Sequence, residues 1–361
     1  MRVAFVVPSM RCGGAERILT VMANYWAEQG CKVMILTLDS EKVTPFYSLS
    51  SKVLLRSLDV LGESKCIFAG VTNNFRRIFI LRKLIRANRP AVVISFLLRT
   101  NVRVLLATAG LGVPVIVSER SDPFLSQPGN VWHLLARLTY PLAQRITVFT
   151  KHAARYFPAP LKTKVRVIPN PVTPPAYQAV LQEKSYRIVA VGRLEYVKGF
   201  DLLLKAFAVV RQAYPTATLT IWGEGSNRQE LELLRDTLGI AAAVFLPGIT
   251  ADVASALRNA DLFVQTSRWE GFGNALCEAM AVGLPVISTA CSGPQEIIHD
   301  GLDGRLVPVE NVAALVNAIL ALFQDFSARQ TLAHNASAIT ERFALSDIMK
   351  QWEMLVTEVT E

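Results

Sequence analysis

No stretch of this chain approaches the roughly 18 apolar residues that a membrane-spanning helix requires. Its 361 residues are nevertheless 51% hydrophobic, in short apolar runs set between helical patterns. The opening residues, MRVAFVVPSM, carry an apolar run too short for a signal peptide and closed by a proline, so they read as a buried first strand of a protein kept in the cytoplasm. Cysteine is sparse: Cys12, Cys31, Cys66, Cys277 and Cys291 form an odd set without C-x-x-C spacing, which argues against structural zinc and against a disulfide framework. His133, His152, His299 and His334 show no H-x-x-x-H spacing, so a histidine-bound metal is not expected and each reads as an ordinary structural or surface histidine. G-x-G-x-x-G is missing, so an NAD site is not indicated. So is every D-x-D triplet, the carboxylate pattern with which many sugar-nucleotide enzymes hold a divalent metal on a pyrophosphate. Internal repeats and low-complexity tracts are absent too.

What the chain has is alternation. At 361 residues it favours two domains, each large enough to bury a core of its own. Strand-like runs at residues 3–7, 33–38, 53–58, 91–96, 113–117, 146–149 and 165–168 alternate with helical stretches, and a second series follows at 188–191, 217–221, 243–246, 261–264, 285–288 and 304–307. Continuous apolar strands alternating with helices predict an α/β fold of two doubly wound parallel sheets. Between the series, Pro169, Pro171, Pro174 and Pro175 rule out helix and central strand, so residues 169–175 read as a linker between domains at 1–170 and 176–344.

Charge divides at the same place. Residues 1–175 carry 24 Lys plus Arg against 8 Asp plus Glu, a balance of +16, and residues 176–361 carry 14 against 21, a balance of −7. A basic first domain suits an anionic partner: nucleic acid, an anionic membrane surface or a pyrophosphate-bearing substrate. Nucleic acid is disfavoured, because no interleaved aromatics or known module accompany the charge. Residues 75–90, FRRIFILRKLIRANRP, read either as a basic amphipathic helix at a membrane surface or as a helix covering the sheet with a solvated basic face.

In open parallel sheets ligands bind beyond the carboxyl ends of the strands, so the loops there hold the candidate residues. After the first strand, Gly13 and Gly14 lead into a helix that bears Arg17, a start able to bring N–H groups to a phosphate or sugar. After the first strand of the second domain come Arg193, a planar fork for diphosphate oxygens, and Lys198, a mobile point charge. Gly223 and Gly248 follow later strands in loops able to wrap a base and ribose. The densest segment is SRWEGFGNALCEAMAVGLPVI. Glu270 precedes a turn of Gly271, Phe272, Gly273 and Asn274, and Glu278 lies in the helix that the turn opens. The turn permits close backbone approach, and the helix start seats phosphate. These residues predict a nucleotide-diphosphate site in which Arg193, Lys198 and the helix start neutralise the leaving group without a metal.

Taken in order, GGAERIL, VGRLEYVKGF, GEG, EGFGNALCEAMAVGLPVI, GPQEII and DGLDGRLVP resemble family 4 of the GT-B retaining glycosyltransferases over nearly the whole chain. The resemblance implies two Rossmann-like domains, with a nucleotide-sugar held mainly by the second and an acceptor mainly by the first. It implies that Arg193 and Lys198 bind the diphosphate, Glu278 the ribose hydroxyls and Glu270 the donor sugar, and that the last helix, residues 345–359, crosses back onto the first domain. Many members have a histidine after the strand corresponding to 113–117. Here the chain reads Ser118, Glu119, Arg120, Ser121, Asp122 and Pro123, a segment similar to a subgroup that builds bacterial surface polysaccharides and glycans on a polyprenyl-diphosphate carrier, some of whose members transfer N-acetylgalactosamine. Arg120 and Asp122 then join Arg17 as acceptor-binding candidates, and a capped turn is the alternative for that segment. The implied activity is transfer from a UDP-sugar, with GDP behind it, to a polyprenyl-diphosphate-linked saccharide at the inner face of the cytoplasmic membrane. No cofactor or divalent metal is expected. The rivals are a non-hydrolysing sugar-nucleotide epimerase, which needs acid and base groups on both faces of the sugar, and a catalytically silent scaffold.

Overall fold

In the computed structural model, which describes residues 1–40, 43–60, 67–125 and 129–361, the chain forms two compact units: residues 1–169 with 346–361, and residues 170–345. Cys66 lies outside the described residues.

Unit 1 is built from β1 (Arg2–Val7), α1 (Gly14–Glu28), β2 (Lys32–Thr37), β3 (Leu54–Ser57), α2 (Ile67–Asn88), β4 (Val92–Phe96), α3 (Leu98–Thr108), β5 (Val115–Ser118), α4 (Asn130–Thr139), β6 (Arg145–Val148), α5 (Lys151–Ala154), α6 (Ala159–Lys162) and β7 (Val165–Val167). Unit 2 continues with β8 (Arg187–Val191), α7 (Phe200–Ala213), β9 (Thr218–Trp222), α8 (Arg228–Thr237), β10 (Val244–Gly248), α9 (Val253–Arg258), β11 (Leu262–Gln265), α10 (Asn274–Ala281), β12 (Val286–Thr289), α11 (Ser292–Ile297), β13 (Arg305–Val307), α12 (Val312–Gln324), α13 (Phe326–Ala336) and α14 (Ile339–Arg342). The last helix, α15 (Leu345–Thr360), belongs to unit 1 from Ser346 onward.

The seven-stranded sheet of unit 1 runs β3-β2-β1-β4-β5-β6-β7, and the six-stranded sheet of unit 2 runs β10-β9-β8-β11-β12-β13. Every ladder is parallel. Parallel strands covered on both faces must be apolar throughout, and β1, β4 and β12 are buried along nearly their whole length. The predicted doubly wound architecture is therefore the one observed.

Both sheets start in the middle and wind outward in two directions, so the order reverses between β1 and β4 and again between β8 and β11. Neighbouring loops there turn to opposite faces, which opens a crevice at the carboxyl ends of the strands. In unit 2 the two flanking loops are Gly192–Gly199 after β8 and Thr266–Gly273 after β11, the segments that carry most of the candidate residues.

Unit 1 retains α15 through both burial and charge. Met349, Trp352, Leu355 and Val356 are buried, and Glu358 is ion-paired with Arg145 and, at 3.0 Å, with Arg166. The chain passes from β7 into unit 2 through an extended segment in which the Val172 N–H donates to the Phe343 carbonyl at 2.8 Å.

Candidate functional site

Glycines set the backbone of the unit 2 crevice. Gly199 sits at φ 62°, and a Cβ on it would lie 2.2 Å from the Thr266 carbonyl oxygen, so no other residue lets the β8 and β11 loops approach this closely. Gly223, at φ 147°, is tighter still, with a Cβ position 1.9 Å from the Gly192 carbonyl oxygen. Thr266 completes the junction by donating its hydroxyl to the carbonyls of Lys198 and Gly199 at 3.1 and 2.9 Å.

This junction brings Lys198 and Glu270 together although 72 positions separate them in sequence. The Lys198 ammonium donates to Glu270 Oε2 at 2.5 Å, and both side chains are about one-fifth exposed (21% and 17%). Ser267 Oγ lies 3.3 Å from the same carboxylate oxygen. Arg268, next in the loop, is anchored the other way: it donates to both carboxylate oxygens of Asp201, to Glu310 and to the Tyr196 carbonyl, and its guanidinium lies 3.9 Å from the Tyr196 ring centroid. These hydrogen bonds raise its already high pKa further, so Arg268 is a fixed cation that clamps the two loops behind the pair.

Gly273, at φ 103°, is the N-cap residue that leads into α10. No side chain caps the helix and its first turn carries no acid, so the N–H groups of that turn face outward without a side-chain acceptor from the helix start. Asn274 accepts a hydrogen bond from the buried Asn170 at 2.8 Å, Phe272 packs edge-on against Phe343 at 5.5 Å, and Gly293 comes so close to the Phe272 backbone that a Cβ would lie 2.6 Å from its carbonyl oxygen. The turn is thus held from three sides. Glu278 stands half-buried one turn into α10. Burial pushes the Cys277 thiol beside it up, and Cys291 is pushed up to about 11 for the same reason, so neither is a thiolate nucleophile at neutral pH.

The remaining unit 2 candidates line the same sheet edge. Arg193 projects outward with its side chain 66% exposed and an ion pair to Glu195 at 3.0 Å. Gly223 and Gly248 join β9 to β10 through the Gly223 N–H, which donates to the Gly248 carbonyl at 2.8 Å. Glu224 between them is held by Arg228.

In unit 1, Gly14 is the exposed first residue of α1 and Arg17 lies half-buried in its first turn. The Glu16 carboxylate curls back over the helix start, with Oε2 2.1 Å from where a Cβ on Gly13 would fall. An anion approaching this N-terminus meets the Glu16 carboxylate, whereas the carboxylate beside the start of α10, Glu270, is already paired with Lys198. Arg120 faces an aromatic box: its guanidinium lies 4.6 Å from Phe96, 5.4 Å from Phe149 and 5.8 Å from Trp352, and burial lowers its pKa to about 9. Asp122 is buried and accepts the Phe124 N–H at 3.0 Å, the capped turn weighed as an alternative for this segment.

Sequence reasoning passed over a buried polar network under the same loop. Glu119 accepts hydrogen bonds from the Tyr140 hydroxyl and from Asn101, which in turn accepts from Ser95 at 2.8 Å. Thr147 donates to Ser118 at 2.7 Å alongside. Burial drives the Glu119 carboxyl up, more than its hydrogen bonds pull it down. Its members come from β4, α3, β5, the turn after α4 and β6, so no local motif announces them.

Among the described residues, no group of three His, Cys, Asp or Glu side chains is arranged to hold a metal ion. No single helix among them is long and apolar enough to cross a membrane.

The family described as Glycosyltransferase Family 4 matches residues 12–174, and the family described as Glycosyl transferases group 1 matches residues 177–338. Over 99% of both chains, the sequence is 28% identical to a Campylobacter jejuni "GalNAc-alpha-(1->4)-GalNAc-alpha-(1->3)-diNAcBac-PP-undecaprenol alpha-1,4-N-acetyl-D-galactosaminyltransferase". The fold is similar to that of sucrose-phosphate synthase from Thermosynechococcus elongatus, with a TM-score of 0.87 at 18% identity over 99% of this chain and 98% of that one. It is also similar to Anabaena HepE solved with UDP, with a TM-score of 0.78 at 19% identity over 99% of this chain and 100% of the other. With two doubly wound sheets and both family matches in sequence order along its length, this chain belongs to the GT-B glycosyltransferases of the group 1 and family 4 type.

Proposed function

We propose that this glycosyltransferase moves a hexose or N-acetylhexosamine, with N-acetylgalactosamine, N-acetylglucosamine or galactose favoured, from a UDP-sugar to a polyprenyl-diphosphate-linked saccharide, with retention of anomeric configuration and without a divalent metal. The observation that carries the reading is the Lys198–Glu270 pair at the switch point of unit 2, beside the uncapped start of α10.

In this mechanism unit 2 holds the nucleotide-sugar. Lys198, Arg193 and the N–H groups of α10 receive the diphosphate, Glu278 the ribose hydroxyls, and the loops at Gly223, Gly248 and Gly271 to Asn274 enclose the nucleoside. The bond between the anomeric carbon and the diphosphate oxygen breaks with its electron pair passing to the diphosphate. The acceptor oxygen bonds to the same face of that carbon, and its proton goes to the departing phosphate oxygen. The chief catalytic contribution is electrostatic: fixed positive charge waits where negative charge develops. Glu270 orients the donor sugar and keeps Lys198 in place, and the ion pair loosens when the diphosphate competes for the ammonium. Unit 1 holds the acceptor, with Arg17, Arg120 and Asp122 as its contacts. UDP is preferred as the carrier because HepE, a structural neighbour, was solved with it, and the lipid-linked acceptor because the Campylobacter relative bears one in its name.

The substrate also supports docking at the inner face of the cytoplasmic membrane. From residue 64 to residue 175 the only acids are Glu119 and Asp122, both buried, so that stretch shows its surroundings cations alone. On α2, Leu81 and Ile85 are fully buried, while Phe75 and Phe79 are each 69% exposed on the side that also carries the exposed Lys83 and Arg86. Apolar rings among cations suit an anionic interface.

The test is to incubate the protein in EDTA with a panel of UDP- and GDP-sugars and a synthetic polyprenyl-diphosphate-linked sugar, following product by mass and anomeric configuration by NMR. Product from one UDP-sugar, lost in Lys198→Ala and Glu270→Ala, is the expected result. Conversion of one UDP-sugar to its epimer with no transfer overturns the proposal.

A further inference from the structure

Beyond the carboxyl ends of β5 and β6 in unit 1, the chain builds an aromatic corner that none of the roles above uses. Phe124 comes from the loop after β5, and His152 and Tyr156 from the segment after β6. The Phe124 ring lies 4.9 Å from the His152 ring at 51° and 5.3 Å from the Tyr156 ring at 86°. The rings are therefore set at angles to one another, as the walls of a recess. All three remain accessible, with Phe124 48% exposed, Tyr156 39% and the His152 side chain 43%.

Polar atoms rim the corner. The Asp122 carboxylate, almost fully buried, has Oδ2 3.9 Å from His152 Nε2 and Oδ1 fixed by the Phe124 N–H at 3.0 Å. The Tyr156 hydroxyl lies 3.5 Å from His133 Nδ1 on α4. Covering the exposed face of Phe124 with a ligand removes apolar surface from water, and carboxylate, imidazole and phenol groups at its edge supply both donors and acceptors.

We infer that Phe124, His152 and Tyr156, with Asp122 at their edge, form a saccharide-binding platform for the acceptor. A pyranose offers a patch of C–H groups on one face and hydroxyls around its rim. Aromatic faces with a few fixed polar groups match that pattern. A lipid chain is the poorer match, because it satisfies none of the rim groups, and purely apolar exposure is found elsewhere: Val131, Leu134 and Leu138 stand 69%, 58% and 64% exposed on α4. The platform adds residues to the acceptor side of the proposed reaction and rests on that reading for its biological ligand. It also supplies a histidine near the acceptor loop, from after β6 rather than after β5.

The test reads binding and not activity. The sequence has four histidines, so four imidazole Cε1–H resonances are expected, and His152→Gln assigns the one of interest. The protein is titrated separately with the methyl α-glycosides of N-acetylgalactosamine, galactose and glucose, with phosphatidylglycerol vesicles, and with UDP. A saturable shift of the His152 resonance by at least one glycoside, in the millimolar range of about −4 kcal/mol, is expected. Phe124→Ala should weaken that glycoside by about fivefold or more and Phe124→Leu nearly as much, whereas Phe124→Tyr keeps it within about twofold. Phe124→Tyr also controls for folding. The inference is overturned if no glycoside moves the resonance up to about 50 mM, at which even a weak site of this class fills, if Phe124→Ala binds as the wild type does, or if vesicles alone move it. The UDP arm is separate: failure of UDP to bind the wild type sinks the proposed donor and leaves the glycoside result standing.

Discussion

The two units wind their strands in the same order, yet the carboxyl ends of their sheets are furnished differently. In unit 2 the crevice is shaped by main chain: Gly199 and Gly223 sit at positive φ against carbonyl oxygens, and the charged pair Lys198–Glu270 is placed by the loops they permit. In unit 1 the corresponding edge is shaped by side chains from distant segments: the buried Glu119–Tyr140–Asn101 network, the box around Arg120 and the corner of Phe124, His152 and Tyr156. The difference teaches that the same strand order can be furnished in two ways, by main-chain geometry set at glycines in unit 2 and by side chains gathered from distant segments in unit 1. The charges divide in parallel, basic before the linker and acidic after it.

The sharpest way to break this comparison is at the Lys198–Glu270 pair. Removing either member should lower transfer by a factor of about 10² to 10³, the usual cost of losing a group that stabilises developing charge, and Lys198→Ala should also weaken UDP in calorimetry. Transfer within threefold of wild type in both variants would place the chemistry elsewhere. Next in size is Gly223→Ala, which forces a Cβ against the Gly192 carbonyl at an unfavourable φ. It should cost about 3 kcal/mol or more of stability, or roughly 10 °C in the melting of unit 2. An unchanged melting curve would mean that the unit 2 loops are not limited by backbone contact.

On the unit 1 side, Phe75→Ser combined with Phe79→Ser should weaken binding to phosphatidylglycerol vesicles by about tenfold, some 1.4 kcal/mol. Half-molar salt should weaken the wild type further by screening its cations. Vesicle binding that ignores both changes would remove the membrane from the account of the basic unit. The smallest effect expected concerns pH. Because burial raises the Glu119 carboxyl, the unfolded chain gives up that proton first, so stability falls as pH rises from the ordinary glutamate range through the raised value. Glu119→Gln should flatten the slope in urea midpoints measured from about pH 4.5 to 8. A slope equal to that of the wild type would show that another group carries it.

Legibility in the sequence followed the same division. The candidate residues of unit 2 were readable one loop at a time, because glycine, lysine and glutamate stand at short spacings after recognisable strands, whereas the meeting of Lys198 with Glu270 was not. Arg268 was not singled out, although it clamps the loops, because its partners Asp201 and Glu310 are far away in the chain. In unit 1 the loop from Ser118 to Pro123 was noticed, but Arg120 and Asp122 face inward to partners supplied by β4, by the segment after β6 and by α15. His152 was set aside as an ordinary histidine because sequence distance hid its nearness to Asp122 and Phe124.

By itself the sequence determined the elements, their parallel pairing and the glycine-bounded turn before α10, because each depends on residue type and on spacings of a few positions: apolar runs that bury both faces of a strand, prolines that forbid regular structure, glycines that allow a positive φ. Only the tertiary structure decided which side chains share a site. Lys198 meets Glu270 across the switch between β8 and β11, Trp352 closes the box over Arg120, and Phe124 finds His152 and Tyr156. Those contacts are between residues whose separation in the chain says nothing of their separation in space, and winding the strands in two directions from the middle of each sheet is what brings them together.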